Sequence, residues 1–283
     1  MRRRSSGFTL LELALVLLVI TVLLGGLAVP FTRQIETRRI AETNKAMATI
    51  QDALLGYAMS HTTSSCTCSY DTSGLPTGGT CPTANACPSS ITGTGNAVTL
   101  TMTRHYLPCP DITGDGVEDR TGTACTIAGS ASGNNGHVGW LPWATLGLPQ
   151  SDAWGNRYAY DVVPDYADSS IGFGSSSTLT PHIRQVSICN DHTCTASTPV
   201  AAAIISYGPD GLGSFGTTNN QWAATPDQNS SPDEYQNASY GSHNYVTHIA
   251  TDAGSTNGQF DDLTVGLSLP ALLNRVCPAG GCL

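Results

Sequence analysis

The sequence predicts an α+β protein in which one long N-terminal α-helix packs against an antiparallel β-sheet whose loops are stapled by disulfides. Three observations lead to this prediction. The first 60 residues are apolar or amphipathic with helical spacing, the remainder is rich in Gly, Ser and Thr with short apolar runs, and all ten cysteines lie beyond residue 65. A long helical pattern followed by short strand-like patterns is typical of α+β folds.

The N-terminal apolar run extends from Phe8 to Phe31 and contains a single charged side chain, Glu12. A helix of this length would measure about 36 Å, which exceeds the roughly 30 Å hydrocarbon core of a bilayer. An ordinary secretory signal has a shorter apolar region that ends in a small-residue cleavage site, and no Ala-x-Ala follows this run. A plain single-pass anchor is the simplest interpretation. A carboxylate inside such a run, however, costs several kcal/mol unless it is paired.

A small residue, Gly7, separates the basic leader from the apolar run and gives the segment Gly7-Phe-Thr-Leu-Leu-Glu12. This segment resembles the processing signature of type IV prepilins and pseudopilins. The resemblance implies the pilin fold, cleavage between Gly7 and Phe8 by a prepilin peptidase, and N-methylation of the new Phe8 amine. It also implies that Glu12 pairs with the Phe8 amine of a neighbouring subunit during assembly. Such a pair is physically reasonable, because a buried carboxylate requires a cationic partner.

The helix is expected to continue beyond the apolar run to about His61. Met47, Ile50, Leu54 and Tyr57 recur at steps of three and four, which places them on one face of a helix. The chain is therefore divided into a leader at 1–7, a transmembrane and filament-core helix at 8–31, an amphipathic helix at 32–61 and a globular domain at 62–283.

The even number of cysteines predicts disulfides that form in the periplasm or outside the cell. A zinc site is the weaker alternative, since Cys189, His192 and Cys194 supply ligand types without the usual second close pair. The short loops Cys189–Cys194 and Cys277–Cys282 are the pairings that spacing suggests. The expected disulfide cysteines are Cys66, Cys68, Cys81, Cys87, Cys109, Cys125, Cys189, Cys194, Cys277 and Cys282.

An acidic loop at 111–119 partly matches a calcium-binding loop. Asp111, Asp115 and Asp119 take its first, fifth and ninth positions. The match fails at Thr113, the third position, and at Gly122, where a bidentate Glu belongs. An acidic turn fixed by glycines is the alternative interpretation.

Two later segments resemble the major pseudopilins of type II secretion. The aromatic segment 152–160 is predicted to be a turn that enters a strand, and the apolar run 201–207 is predicted to be a buried strand. The resemblance implies a calcium-binding loop after the second strand, although the sequence departs from the family there. We expect Ca²⁺ to be held by some of Asp210, Asp227 and Asp233 together with backbone carbonyls, because oxygen ligands in a Gly-rich loop suit this ion.

The net charge of −9 is unevenly distributed along the chain. Residues 1–52 carry seven basic and four acidic side chains, and the remainder carries five basic and 17 acidic ones. An acidic body argues against nucleic-acid binding, which requires clustered Lys and Arg. The sequence contains no Gly-x-Ser-x-Gly elbow, phosphate loop or His-Glu-x-x-His pair, so we expect no enzymatic activity.

Resemblance and composition together predict a structural subunit of a type IV pilus or of a type II secretion pseudopilus. The expected partners are further copies of the chain or other pilins, the prepilin peptidase and the assembly platform of the inner membrane. The chain is expected in the bacterial inner membrane before assembly, and in a periplasmic pseudopilus or extracellular pilus afterwards. The alternative is a minor or tip pilin whose large, cysteine-rich domain acts as an adhesin or binding module.

Overall fold

The structure is a computed structural model, and it divides into two compact units, Met1–Glu42 and Thr43–Leu283. For residues 22–32, 66, 102, 215–216 and 221–222 it describes the backbone alone. The described residues are 10–63, 66–80, 91, 95–126, 138–174, 185–216, 221–222, 224–239 and 243–277.

The first helix, α1, spans Leu10–Ser60, so the predicted helix end near His61 is confirmed. Within the second unit, Met47, Ile50, Leu54 and Tyr57 are buried, as their spacing predicted. Among the described residues, no helix combines the length and the apolarity that crossing a membrane requires, so the anchor expected at 8–31 stays a prediction.

The elements after α1 are short and separated by turns. The strands are β1 Cys66–Tyr70, β2 Pro76–Gly79, β3 Val98–Met102, β4 Arg120–Thr121, β5 Ala124–Cys125, β6 Val138–Trp140, β7 Ala159–Val162, β8 Val186–Cys189, β9 Ser197–Val200, β10 Ala202–Ser206, β11 Phe215–Gly216, β12 Gln221–Trp222, β13 Asn244–Val246 and β14 Leu263–Leu267. The helices are α2 Trp143–Leu146, α3 Pro164–Ala167, α4 Pro232–Ala238 and α5 Leu269–Val276.

The central sheet has four antiparallel strands in the order β14-β10-β7-β6. In its register Ile204 of β10 lies between Tyr160 of β7 and Val265 of β14. All residues of β10 are buried, which confirms the buried strand predicted within 201–207. Such a continuous apolar run suits a strand that is covered on both faces.

The second half of α1 shares one hydrophobic core with this sheet. Met47, Ile50 and Leu54 belong to the same buried cluster as Tyr160 and Ile204. A polar contact adds to the packing, since Gln51 Nε2 donates to the carbonyl oxygen of Gly266 at 3.2 Å. Within the second unit, the α+β arrangement of helix on antiparallel sheet therefore agrees with the prediction.

A smaller sheet, with the strand order β13-β8-β9, contains one parallel pair. β13 runs parallel to β8, whereas β9 pairs with β8 in the antiparallel sense. Parallel neighbours require a long crossover connection. The chain between Cys189 and Asn244 supplies one and contains α4. This smaller sheet is therefore mixed, whereas the central sheet is antiparallel as predicted.

Candidate functional site

The N-terminal signature lies at the start of α1. Glu12 occupies the first turn and is exposed, whereas Gly7 and Phe8 lie outside the described residues. The apolar side chains around Glu12 are also exposed, and Leu10 retains 91% and Leu18 64% of their accessible surface. A helix with apolar residues on all sides gains stability when lipid or other helices cover it. This helix surface is therefore a candidate interface.

The acidic loop at 111–119 is closed by its own backbone. Asp111 is buried, and its two carboxylate oxygens accept from the N–H groups of Gly114 at 2.6 Å and Gly116 at 2.8 Å. Asp119 accepts two further N–H groups of the loop at 2.7 and 3.0 Å, and Asp115 accepts one at 2.9 Å. These contacts form the acidic turn that was the alternative interpretation, and calcium binding at this loop stays a prediction.

Burial raises the pKa of the Asp111 carboxyl in this turn, although the N–H groups that donate to it oppose the shift.

Aromatic residues pack closely against the same turn. The Arg157 guanidinium lies 4.8 Å from the ring centres of both Trp140 and Trp143. Gly116 has a φ of 88°, and a Cβ at this position would overlap the Trp143 indole. The arrangement favours a structural role for the aromatic residues.

The two segments that resemble pseudopilins contact each other. Asp152 accepts a hydrogen bond from the Ser206 hydroxyl at 2.7 Å, and Asn156 Nδ2 donates to the Gly208 carbonyl at 3.3 Å. Both Asp152 and Ser206 are buried. The turn that follows β10 is thereby fixed against the turn that precedes β7.

Three carboxylates converge at this turn. Asp210 follows β10, Glu234 lies on α4 and Asp261 precedes β14, and one oxygen of each lies within 4.8 Å of the others. We call these three residues the acidic cluster. No other group of His, Cys, Asp or Glu side chains in the described part of the chain meets this criterion. The cluster is a candidate cation site, because hard cations such as Ca²⁺ prefer carboxylate oxygens.

Glu234 is the buried member of the acidic cluster, with 1% of its surface accessible. Its Oε1 accepts from the backbone N–H of Asp261 at 3.0 Å. Its Oε2 has no hydrogen-bond partner among the described residues. A buried carboxylate oxygen without a partner is costly, and a bound cation would satisfy it.

Burial, together with repulsion between carboxylates, raises the pKa values at the acidic cluster. Burial, and then the charges of Asp210 and Asp261, raise the pKa of Glu234 to about 8. Burial also raises the pKa of Asp210. The neighbouring Asp262 is also buried, and its burial raises its pKa well above the ordinary range. Each of these shifts indicates that the ionised forms lack sufficient compensation in the chain alone.

The backbone beside the cluster requires glycine. Gly208 adopts a φ of 60°, and a Cβ there would collide with the carbonyl oxygen and a carboxylate oxygen of Asp261. Gln259 Nε2 donates to Asp210 at 3.2 Å and to Asp261 at 3.1 Å, which holds the two carboxylates together. The residues present therefore fit a cation site in which Asp210, Glu234 and Asp261 supply the ligand oxygens.

The structure places the other two predicted calcium ligands elsewhere. Asp227 accepts the N–H of Asn229 at 2.8 Å and shapes an exposed turn. The buried Asp233 accepts His192 Nδ1 at 2.8 Å on one oxygen, and His248 Nε2 at 3.2 Å on the other. Of the predicted set, Asp210 alone belongs to the acidic cluster. Glu234 and Asp261 were missed, although each stands next to another acidic residue in the sequence.

The described cysteines form disulfides. Cys109 pairs with Cys125, and Cys189 pairs with Cys194, the second being one of the two short loops that spacing suggested. The zinc alternative at 189–194 is thereby contradicted, since both sulfurs are consumed. Cys68 and Cys277 are also disulfide-bonded. The side chain of Cys66 and the residues Cys81, Cys87 and Cys282 lie outside the described part of the chain.

Comparison with known proteins adds one finding at the N-terminus. No curated protein and no solved structure gives a significant match to the chain. The family model of the prokaryotic N-terminal methylation motif matches residues 2–28, which include Gly7, Phe8 and Glu12. The motif supports a type IV pilin-like or pseudopilin subunit. The chain therefore carries the prepilin-type signature of type IV pilins and pseudopilins.

Proposed function

We propose that this protein is a structural subunit of a pilus-type filament, either a type IV pilus or a type II secretion pseudopilus. The match of residues 2–28 to the N-terminal methylation motif carries this proposal. In the proposed sequence of events, a prepilin peptidase cleaves between Gly7 and Phe8, and the Phe8 amine is methylated. The processed chain then assembles through its N-terminal helix with further copies or with other pilins, on an assembly platform of the inner membrane.

The exposed apolar surface of α1 supports assembly through this helix. Side chains from Leu10 to Ile20 are exposed in the isolated chain, and covering apolar surface contributes roughly 25 cal/mol per Å². Lipid would cover this surface in the proposed inner-membrane precursor, and neighbouring helices would cover it in the filament. The subunit would then move from the membrane into a periplasmic pseudopilus or an extracellular pilus. The proposed role is structural and requires no catalytic site.

The first test follows the N-terminus and the pairing of Glu12. Mass spectrometry of sheared fibres should find subunits that begin at methylated Phe8. Glu12→Ala should reduce incorporation into fibres, because the Phe8 ammonium of the neighbouring subunit would lose its carboxylate. Glu42→Ala is the matched control, since it removes an exposed carboxylate from the same helix. Normal incorporation of Glu12→Ala would contradict the pairing.

The second candidate function is a minor or tip pilin that acts as an adhesin or binding module. The large, cysteine-rich body supports it, and Cys109–Cys125 is one of its disulfides. Cryo-electron microscopy of fibres decides between the two. Fibres built of this chain alone identify a major subunit, and sparse incorporation among other pilins identifies a minor one.

We also propose that the acidic cluster binds Ca²⁺ through Asp210, Glu234 and Asp261. The unsatisfied Oε2 of Glu234 supports this ligand set. The ion would neutralise the mutual repulsion of the carboxylates and link α4 to the strand ends at β10 and β14. This set replaces Asp227 and Asp233 of the sequence-based expectation and retains Asp210.

A further inference from the structure

A groove of about 440 Å³ lies on the side of α4 away from the acidic cluster. Its volume falls within the range of small-ligand sites, roughly 300–1,000 Å³. Pro232, Tyr235 and Gln236 contribute one face of α4, whereas Asp233 and Glu234 are buried on the other. We call this the amide groove, and its lining is His192, Gln228, Asn229, Pro232, Tyr235 and Gln236.

The lining of the amide groove combines carboxamides with the Tyr235 phenol ring and the His192 imidazole. The carboxamides of Gln228 and Asn229 carry both hydrogen-bond donors and an acceptor, and Tyr235 adds a hydroxyl and a ring face. Among the described residues, none of the side chains that line the groove is a carboxylate, Lys or Arg. The groove therefore suits a neutral ligand that carries many groups able to donate and to accept.

Two lining residues, His192 and Gln236, are held in place by hydrogen bonds to neighbouring residues. The buried Asp233 fixes His192 through both the ring Nδ1 at 2.8 Å and the backbone N–H at 2.7 Å. Gln236 Nε2 donates to the Asn244 carbonyl at 3.1 Å, which orients this carboxamide. Residues that are already fixed lose less conformational entropy when a ligand binds.

We propose that the amide groove binds a neutral carbohydrate. Sugar hydroxyls both donate and accept, as the carboxamides do, and the apolar face of a sugar ring can pack on Tyr235. A peptide that binds by strand addition would need an exposed strand edge, and the described lining comes from a helix and turns. Nucleic acid would need basic side chains, which the described lining does not contain. This proposal is independent of filament assembly, so it can fail without affecting the proposed function.

Saturation-transfer NMR on the full chain tests the site, in a detergent that has no sugar headgroup. The probes are the neutral trisaccharides maltotriose, cellotriose and chitotriose, with an acidic oligosaccharide and an unstructured peptide for comparison. We expect millimolar binding of at least one neutral trisaccharide. Gln228→Ala should weaken it about fivefold and Tyr235→Ala about tenfold. Gln185→Ala, an exposed carboxamide outside the groove, is the matched control and should leave affinity unchanged.

Three results would overturn the proposal. The first is an absence of transfer to all three neutral trisaccharides. The second is equal affinity in the control and in Gln228→Ala, an exposed position where loss of folding is not expected. The third is preferential binding of the peptide or of the acidic oligosaccharide. Tyr235→Phe separates stacking from hydrogen bonding, because it retains the ring and loses only the hydroxyl.

Discussion

Raising the pH in the absence of cations should destabilise the body of this protein through Glu234. Its pKa is about 8 in the folded chain, against an ordinary value of 4.5. Between these two pH values the folded chain keeps a proton that the unfolded chain has lost. The contribution of this proton to the free energy of unfolding is therefore fully present below about pH 4.5. It falls as the pH rises and is lost above about pH 8.

The size of the effect follows from the difference between the two pKa values. It corresponds to at most about 5 kcal/mol of unfolding free energy, because one pKa unit is worth about 1.4 kcal/mol. Relaxation of the carboxylates and entry of water should reduce it to roughly 2–3 kcal/mol. For a body of this size each kcal/mol moves the melting temperature by about 2–4 °C. We expect a fall of roughly 5–10 °C between pH 5 and pH 8.5.

The assay is thermal unfolding of the full chain in chelator at both pH values, followed by addition of Ca²⁺. Calcium should raise the melting temperature more at pH 8.5 than at pH 5, because it binds the ionised carboxylates. Glu234→Gln should reduce both the pH dependence and the response to calcium. Asp262 should leave a residual slope of the same sign, since its pKa is also raised. Asp252→Asn, at an exposed position outside the acidic cluster, should behave like the wild type.

A melting temperature that is equal at the two pH values in chelator would refute the electrostatic argument. If the melting temperature of Glu234→Gln depends on pH as strongly as that of the wild type, another titratable group is responsible. A pH-dependent melting temperature that does not respond to Ca²⁺ would support the raised pKa of Glu234 and refute calcium binding at the acidic cluster.

Two further pairs of substitutions test the packing of the body. Glu118→Ala should cost about 2–4 kcal/mol in chemical denaturation, because Glu118 accepts from the Tyr57 hydroxyl at 2.6 Å and pairs with Arg120 at 2.8 Å in a half-buried site. Glu42→Ala, which breaks an exposed pair, should cost less than about 0.5 kcal/mol, and equal losses would contradict the argument. Gly208→Ala should unfold at lower denaturant and weaken calcium binding, because its Cβ would meet Asp261. Gly147→Ala should cost only the strain of its φ of 68°, about 1 kcal/mol, so similar losses in both would refute the steric reasoning.

Periodicity and composition were sufficient for the local elements. The buried face of α1 at Met47, Ile50 and Leu54 and the buried strand at 201–207 followed from spacing and apolarity. These features depend on neighbours in the sequence, and each local preference agrees with the tertiary environment. The Cys189–Cys194 disulfide could be inferred in the same way, because its loop is short.

Features that depend on distant contacts could not be predicted. Glu234 and Asp261 join Asp210 only because α4 and the start of β14 pack against the turn after β10. The Tyr57 hydroxyl donates a hydrogen bond to Glu118, which lies 61 positions later in the sequence. Asp227 and Asp233 were chosen because they are acidic residues in the stretch of chain that follows Asp210. Adjacent residues on a helix point in different directions, so on α4 Glu234 reaches the acidic cluster and Asp233 does not.

The placement of α4 links the two proposed sites. A seven-residue helix is not stable alone, so contacts with the rest of the body must hold it. Glu234 supplies one such contact and Asp233 a second. Asn237 supplies a third through bonds to Val246 and Asp262. If Glu234 ionises without a cation, repulsion from Asp210 acts on the helix whose other face lines the amide groove. Carbohydrate affinity at pH 8.5 should therefore depend on calcium, and at pH 5, where Glu234 keeps its proton, it should not.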